Sequence, residues 1–216
     1  YRHSKDPRHG ASKATMTVAG IASCFVCFDN LYASKFTACT GGRDHPAIKR
    51  GLDWMVKNFA KTMGGINGYY LYGVERVGRL SGHRFIGRHD WYREGAEALL
   101  MQQDRIAGYW KGVGVEANTH IGTALALLFL SKGKRPVVVA KLRRDPHPDW
   151  ARHRSDLANL TRHVETLWKQ DLTWQVIDGS AATVEDLLET PVLYICGRDS
   201  LKLSRQQKAN LRKYVD

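Results

Sequence analysis

Cys24 and Cys27 form a C-x-x-C pair, and Cys196 closes the apolar run PVLYIC just before Gly197, Arg198 and Asp199. A C-x-x-C pair can hold zinc or exchange electrons, but a structural zinc needs a second ligand pair at comparable spacing. Here the pair lies inside TVAGIASCFVCFDNLY, where i, i+3 spacing sets both thiols on one side of an apolar helix and no second pair follows. Both read as small buried hydrophobes. Four cysteines, counting Cys39, do not make a dense disulfide framework in 216 residues. No metal and no cofactor are expected.

Sites in open α/β sheets form beyond the carboxyl ends of the strands. That rule makes Asp178, Cys196, Arg198 and Asp199 the strand-end candidates, with Gly179 and Gly197 beside them. A second set of candidates is aromatic. Tyr69, Tyr70, Tyr72, Trp91, Tyr92 and Trp110 cluster near helix starts and interhelix loops, where their rings could line an apolar pocket or face a cation. The competing reading is that the rings fill core between helices.

The elements that must position these residues fall into two regimes, divided by a linker at residues 143–150, RRDPHPDW. Before the linker the periodicity is helical, with helices expected over 12–32, 46–61, 68–82, 90–103 and 117–132. No strand alternation is expected before residue 136. Mid-helix glycines recur: Gly20, Gly73 and Gly122 are 53 and 49 residues apart, and Gly51 and Gly95 are 44 apart. A period near 48 residues points to stacked helical hairpins. Each such glycine costs about 1 kcal/mol against alanine, so close helix packing is expected to compensate. After the linker, residues 151–170 read as a helix with an apolar stripe of Leu157, Leu160, Val164, Leu167 and Trp168. TWQVID (173–178) reads as a strand and TVEDLLE as a short helix capped by Thr183. PVLYICG reads as a strand buried on both faces, and a final helix opens with the Ser204–Gln207 capping box. This order predicts a right-handed parallel βαβ unit.

Thirty-three Lys and Arg against 21 Asp and Glu give a formal charge of +12. Residues 76–93 carry five arginines against Asp90, and residues 132–154 carry Lys132, Lys134, Arg135, Lys141, Arg143, Arg144, Arg152 and Arg154 against Asp145 and Asp149. Such surfaces attract anionic partners, whether phosphates, nucleic acid or lipid headgroups. No nucleic-acid recognition motif accompanies the charge. The apolar stretch NTHIGTALALLFLSKG (118–133) has an uninterrupted core of seven residues, Ala124 to Leu130, against the roughly 20 a membrane span needs, and no other segment reads as long enough to span a bilayer. The chain is therefore expected to be soluble, with neither a transmembrane segment nor a signal peptide. Its compartment stays open.

MTVAGIASCFVC, AIKRGLDWMVKNF, YYLYGVERVGRLSGHRFIGRHDWYREGAEALL and GTALALLFLSKG together resemble the prenyltransferase and squalene-oxidase repeat, the helical hairpin of α/α toroids. The later stretches LTWQVIDGSAATVEDLLETPVLYICG and KLSRQQKANLRKYVD make the whole chain look like a bacterial protein type. In it, such repeats precede a domain of unknown function related to class I glutamine-amidotransferase-like α/β folds. The resemblance implies a mainly α fold with an incomplete α/α toroid over residues 1–142 and the start of a parallel-sheet α/β domain over 151–216. It also implies that this chain is a piece of a longer polypeptide, with further repeats before Tyr1 and further strands after Asp216.

Against those families the chemistry is thin. The Asp-x-Asp-Asp acid of class II terpene cyclases occurs nowhere in the chain, and Gly122 stands where a zinc-binding His of prenyltransferases would precede Thr123, with His120 two residues earlier. An amidotransferase nucleophile needs a sharp strand-to-helix elbow, whereas YICGRDSLKLS leaves a loop of several residues after Cys196. The expected function is therefore non-catalytic binding or scaffolding by toroid repeats joined to a degenerate amidotransferase-like domain, with no catalytic residue in this chain. The alternative is an isoprenoid- or lipid-processing enzyme whose acid lies outside it. Expected partners are an apolar or isoprenoid-like ligand, an anionic partner on the basic surface, and the remainder of the same polypeptide.

Overall fold

The computed structural model describes residues 13–32, 45–62, 67–133, 135–144, 150, 153, 155–197 and 200–216. It is mostly helical and carries a small three-stranded parallel sheet.

The helical part contains α1 (Ala14–Leu31), α2 (Pro46–Thr62), α3 (Gly68–Ser81), α4 (Trp91–Gln102) and α5 (Thr119–Gly133). Each boundary follows from a local signal. Pro46 opens α2 at the position where a missing N–H costs nothing. The Asn67 side chain accepts from Tyr70 N–H at the start of α3, and the Asp90 side chain accepts from Arg93 N–H at the start of α4. Gly82, at φ +70°, ends α3 in the left-handed conformation. Asn118 Oδ1 accepts from His120 N–H as α5 begins. In space α3 lies between α1 and α5, with α2 packed on α1 and α4 against both α3 and α5. One core joins them, built on Val18, Ile21, Met55, Phe59, Val74 and Phe129.

Glycine makes this packing close. A Cβ at Gly51 would stand 2.5 Å from Ile21 Cγ1, one at Gly73 2.3 Å from Val18 Cγ2, one at Gly95 2.5 Å from Phe129 Cζ, and one at Gly122 2.6 Å from the Trp110 carbonyl oxygen. The expected compensation for a mid-helix glycine is thus present at four of the five positions. Gly20 differs, because nothing lies within 4 Å of where its Cβ would be.

Helix α1 corrects one expectation. At 18 residues and a mean hydropathy of 1.4 it is long and apolar enough to cross a membrane by length and composition. Here its Val18, Ile21 and Phe25 are buried in the helical core while most of its surface stays open. Helix α5, by contrast, falls short of span length.

The sheet comprises β1 (Val137–Arg143), β2 (Thr173–Asp178) and β3 (Leu193–Tyr194), all parallel, in the order β2-β1-β3. Helices α6 (Asp156–Trp168), α7 (Val184–Leu188) and α8 (Arg205–Val215) complete this part. The expected strand-helix-strand order is present, but β2 and β3 are not neighbours, since β1 lies between them. The sheet's central strand also begins at Val137, inside the 1–142 span assigned from sequence to the hairpins. PVLYICG shortens to a two-residue strand that is half-buried, with Val192 and Ile195 exposed. On α6 the buried positions are Leu157 and Thr161, whereas Leu160, Leu167 and Trp168 of the expected stripe are exposed.

The two parts interlock. After Gly82 the chain runs beside β2, where Val176 N–H donates to the Gly82 carbonyl and Arg84 N–H donates to that of Val176 at 3.0 Å. Phe85 packs against the sheet core of Ala140, Leu142 and Ile177. Arg84 reaches both Asp90, the cap of α4, and Glu189, just after α7.

Candidate functional site

Small side chains on one face of α1 open a groove toward α3. Ala19, Ala22 and Ser23 form its floor, Val18 packs directly on Gly73, and Tyr69 and Tyr72 stand along the α3 side. The groove holds about 390 Å³, within the range in which small-molecule pockets fall. Its polar groups are the hydroxyls of Thr15, Ser23, Tyr69 and Tyr72, the Cys27 thiol and the Arg76 guanidinium. The Arg76 Cζ lies 5.7 Å from the centroid of the Tyr72 ring, the geometry of a cation–π contact. An apolar trough with one cationic group suits an apolar or amphiphilic ligand better than a polar metabolite.

The N-terminal end of this groove is fixed by an unusual clamp. A short 3-10 turn, Gly114–Ala117, presents Glu116 to the start of α3, where its two carboxylate oxygens accept from Gly68 N–H at 2.6 Å and Tyr69 N–H at 3.0 Å. With Asn67 accepting from Tyr70 N–H, three successive amides of the first turn are satisfied. A carboxylate against the positive end of a helix is also electrostatically favoured. Tyr69 is therefore held where it can face the groove.

The six aromatic candidates separate. Tyr69 and Tyr72 line the groove. Tyr70 is buried in the helical core. Trp91 is buried beside them, its Nε1–H donating to the His83 carbonyl at 2.8 Å. Tyr92 stacks on Phe129 with ring centroids 5.6 Å apart and donates its hydroxyl to the Leu130 carbonyl; burial holds that phenol above its ordinary range. Trp110 is buried too, with Nε1–H donating to the Leu99 carbonyl at 2.7 Å. These last four fill the interior between helices.

At the carboxyl edge of the sheet the candidates close on one another. Asp178 Oδ1 accepts from Ser180 N–H at 2.9 Å and Ser180 Oγ–H at 2.6 Å. Cys196 Sγ–H donates to the Trp150 carbonyl at 3.0 Å, and Arg144 donates to the Cys196 carbonyl at 2.8 Å. Burial raises the Cys196 thiol above its usual value, and nearby Lys141 only partly opposes this. A thiol kept protonated is a weak nucleophile. Arg198 and Asp199 lie outside the described residues. Beside this edge sits a residue that sequence reasoning passed over as one of many surface charges: Lys141, in the central strand and 2 % exposed. Its Nζ donates to both Asp156 oxygens, at 2.8 and 3.0 Å, and to the His153 carbonyl at 2.7 Å.

The two halves of the C-x-x-C pair part company. Cys24 packs against the helical core and Cys27 lines the groove. Two groove features also escaped the sequence reading, the small-residue floor of α1 and Arg76. Both leave a signal: Ala19, Ala22 and Ser23 share i, i+3, i+4 spacing, and Tyr72 and Arg76 are i, i+4.

No protein-family model matches the chain, and no curated protein or solved structure does either.

Proposed function

We propose that this chain is a non-catalytic binding or scaffolding protein whose helical part belongs to an α/α toroid of terpene-cyclase-like repeats, joined to the beginning of a degenerate amidotransferase-like domain. Its ligand is apolar, of isoprenoid-like dimensions, and lies in the groove between α1 and α3. The observation that carries this reading is the groove itself: about 390 Å³ floored by Ala19, Ala22 and Ser23, walled by Tyr69 and Tyr72, with Arg76 as its cationic member. The sheet edge supports the non-catalytic half of the reading, since Cys196 is engaged as a donor and raised by burial.

The test is binding of a fluorescent apolar probe, competed by a long-chain isoprenoid alcohol. Ala22→Trp fills the floor and is expected to abolish probe binding, while Tyr72→Ala weakens it by about tenfold through loss of aromatic contact. Unchanged probe affinity in a folded Ala22→Trp variant would refute the assignment.

A further inference from the structure

A guanidinium cannot shed its proton to escape burial, so one that is taken out of water needs an anion beside it. Arg144, the residue after β1, is 7 % exposed, and among the described residues no carboxylate forms an ion pair with it. Its Nη2 donates to a neutral acceptor, the Cys196 carbonyl, at 2.8 Å, and its Nε is enclosed without a partner. The comparable cations are neutralised: Lys141 holds both oxygens of Asp156, and Arg84 holds Asp90 and Glu189. The described acids at this edge of the sheet are engaged elsewhere. Asp156 belongs to Lys141. Asp178 ends β2 beside Arg143, with Oδ1 accepting from Ser180, whereas Arg144 reaches toward β3, on the opposite side of β1.

The position of Arg144 follows from the topology. β1 is the central strand, and the chain leaving it enters α6, whose Asp156 meets Lys141 on one face of the sheet. The chain leaving β3 enters α8, whose Leu211 packs with Ala140 and Leu142. Successive side chains of a strand point to opposite faces, so Lys141 and its neighbours Ala140 and Leu142 place α6 and α8 on opposite sides. The two connections diverge between the carboxyl ends of β1 and β3. Such a topological switch point is where open parallel sheets bind ligands. Arg144, bonded to the backbone just past β3, spans that gap.

The available donors decide the class of anion. A phosphate is held by several backbone amides, supplied by a glycine-rich turn or a helix start. The sequence after Arg144, DPHPDW, has no glycine and two prolines that lack an N–H. A single planar fork remains, and its geometry matches a carboxylate. An arginine this enclosed is reached by a small molecule and not by a flat protein surface.

We propose that Arg144 anchors a small-carboxylate site at the β1–β3 switch point, the carboxylate accepting from the part of the guanidinium that the chain leaves unpaired. The Cys196 carbonyl steadies the fork, and the site binds without reacting. Its occupancy does not depend on the α1–α3 groove having a ligand.

Proton–nitrogen NMR of the arginine side chains tests this on the full chain, because an enclosed Nε–H exchanges slowly enough to give its own resonance. The Arg144 signal is identified by its loss in Arg144→Lys and by its Overhauser contacts to Cys196. It is expected to move saturably with sodium acetate or succinate at constant ionic strength. Acetamide, the neutral isostere, and sodium chloride should leave it in place, and phosphate should bind at least about tenfold more weakly. Thermal melts give a second readout: acetate should raise the Tm of wild type relative to chloride, and Arg144→Lys, which keeps the charge but not the fork, should lose most of that rise. The wild-type titration stands even where Arg144→Lys does not fold. An Arg144 resonance indifferent to acetate and succinate would overturn the proposal, as would an equal response to chloride or a stronger one to phosphate. A response that appears only in Asp145→Asn, Asp149→Asn or Asp199→Asn would also overturn it, making the missing anion one of the chain's own carboxylates.

Discussion

Three ionisable side chains are held in buried or half-buried places. Glu75 in α3 is 1 % exposed. Burial raises its carboxyl, and the Arg79 guanidinium 3.3 Å away opposes the rise without cancelling it. A raised acid binds its proton more tightly in the folded chain, so its contribution is complete below the unfolded value of 4.5 and is lost as pH climbs through the folded value. Glu75→Gln removes that pH-dependent loss. The difference in Tm between Glu75→Gln and wild type is therefore expected to be more positive at neutral pH than at about pH 4, the ordinary range of a free carboxyl. Thermal melts at the two pH values check the sign. Cys196 gives a second residue-scale expectation. Its half-buried, protonated thiol should react with iodoacetamide at neutral pH more slowly than the exposed Cys27, which peptide mapping after timed quenching would reveal. Equal rates would mean that the Cys196–Trp150 contact opens readily. Lys141 is the third case: its ammonium is neutralised and hydrogen-bonded by Asp156. Asp156→Ala strands that charge in the sheet and is expected to cost about 3–5 kcal/mol in urea unfolding.

At the scale of elements, the first turn of α3 decides whether the groove has a fixed wall. Glu116→Ala leaves the Gly68 and Tyr69 amides without their acceptor and empties space that Gly68 and Gly112 make for the carboxylate. A cost of about 2 kcal/mol is expected, chiefly from the buried Gly68 donor, with the part-buried Tyr69 donor adding less. Glu116→Gln should cost less, because one acceptor survives. Amide exchange at Gly68 and Tyr69 locates the effect, and fast exchange there with an intact α5 is the expected pattern. This clamp also shows what local sequence can convey. Thr183 and Ser204 announce helix starts because a cap acts within three residues, and their helices begin where those signals put them. Glu116 acts on residues 47 and 48 positions away, which no periodicity contains. The same distinction explains the strands. TWQVID is recognisable from its own β-branched and aromatic residues, but the place of β1 between β2 and β3 depends on pairing across dozens of residues. Nor could periodicity say that Leu160, Leu167 and Trp168 would be left uncovered, since a stripe records what a helix offers and not what meets it. The aromatic candidates follow suit: their positions near helix starts were legible, while the difference between Tyr72 on the groove and Trp91 in the core is a matter of which neighbour arrives.

For the whole molecule the question is whether helices and sheet unfold together. Besides Phe85, which packs on the sheet core, two polar contacts join them. One is backbone: Gly82 and Arg84 bond along β2, placing the turn after α3 in the sheet's hydrogen-bond ladder. The other is the Arg84 guanidinium, shared between the cap of α4 and Glu189 beyond α7. Gly82 is the hinge of this arrangement, for two reasons that compound. Its φ of +70° suits glycine, and a Cβ there would come within 2.3 Å of the Trp174 indole on β2. Gly82→Ala must therefore strain the turn and displace Trp174 together, so a loss of at least about 2 kcal/mol is expected. Its signature is more telling than its size. Wild type is expected to unfold in one cooperative step followed alike by tryptophan fluorescence and far-UV circular dichroism. In Gly82→Ala the part of the fluorescence change owed to Trp174, taken against a Trp174→Phe control because the chain has six tryptophans, should separate from the ellipticity of the helices, which keep their own core around Val18, Met55 and Phe129. Arg84→Ala, which leaves the backbone ladder in place, should lower the midpoint with both probes still coincident. Separation in Arg84→Ala but not in Gly82→Ala would show that the guanidinium, not the strand-like pairing, couples the two cores.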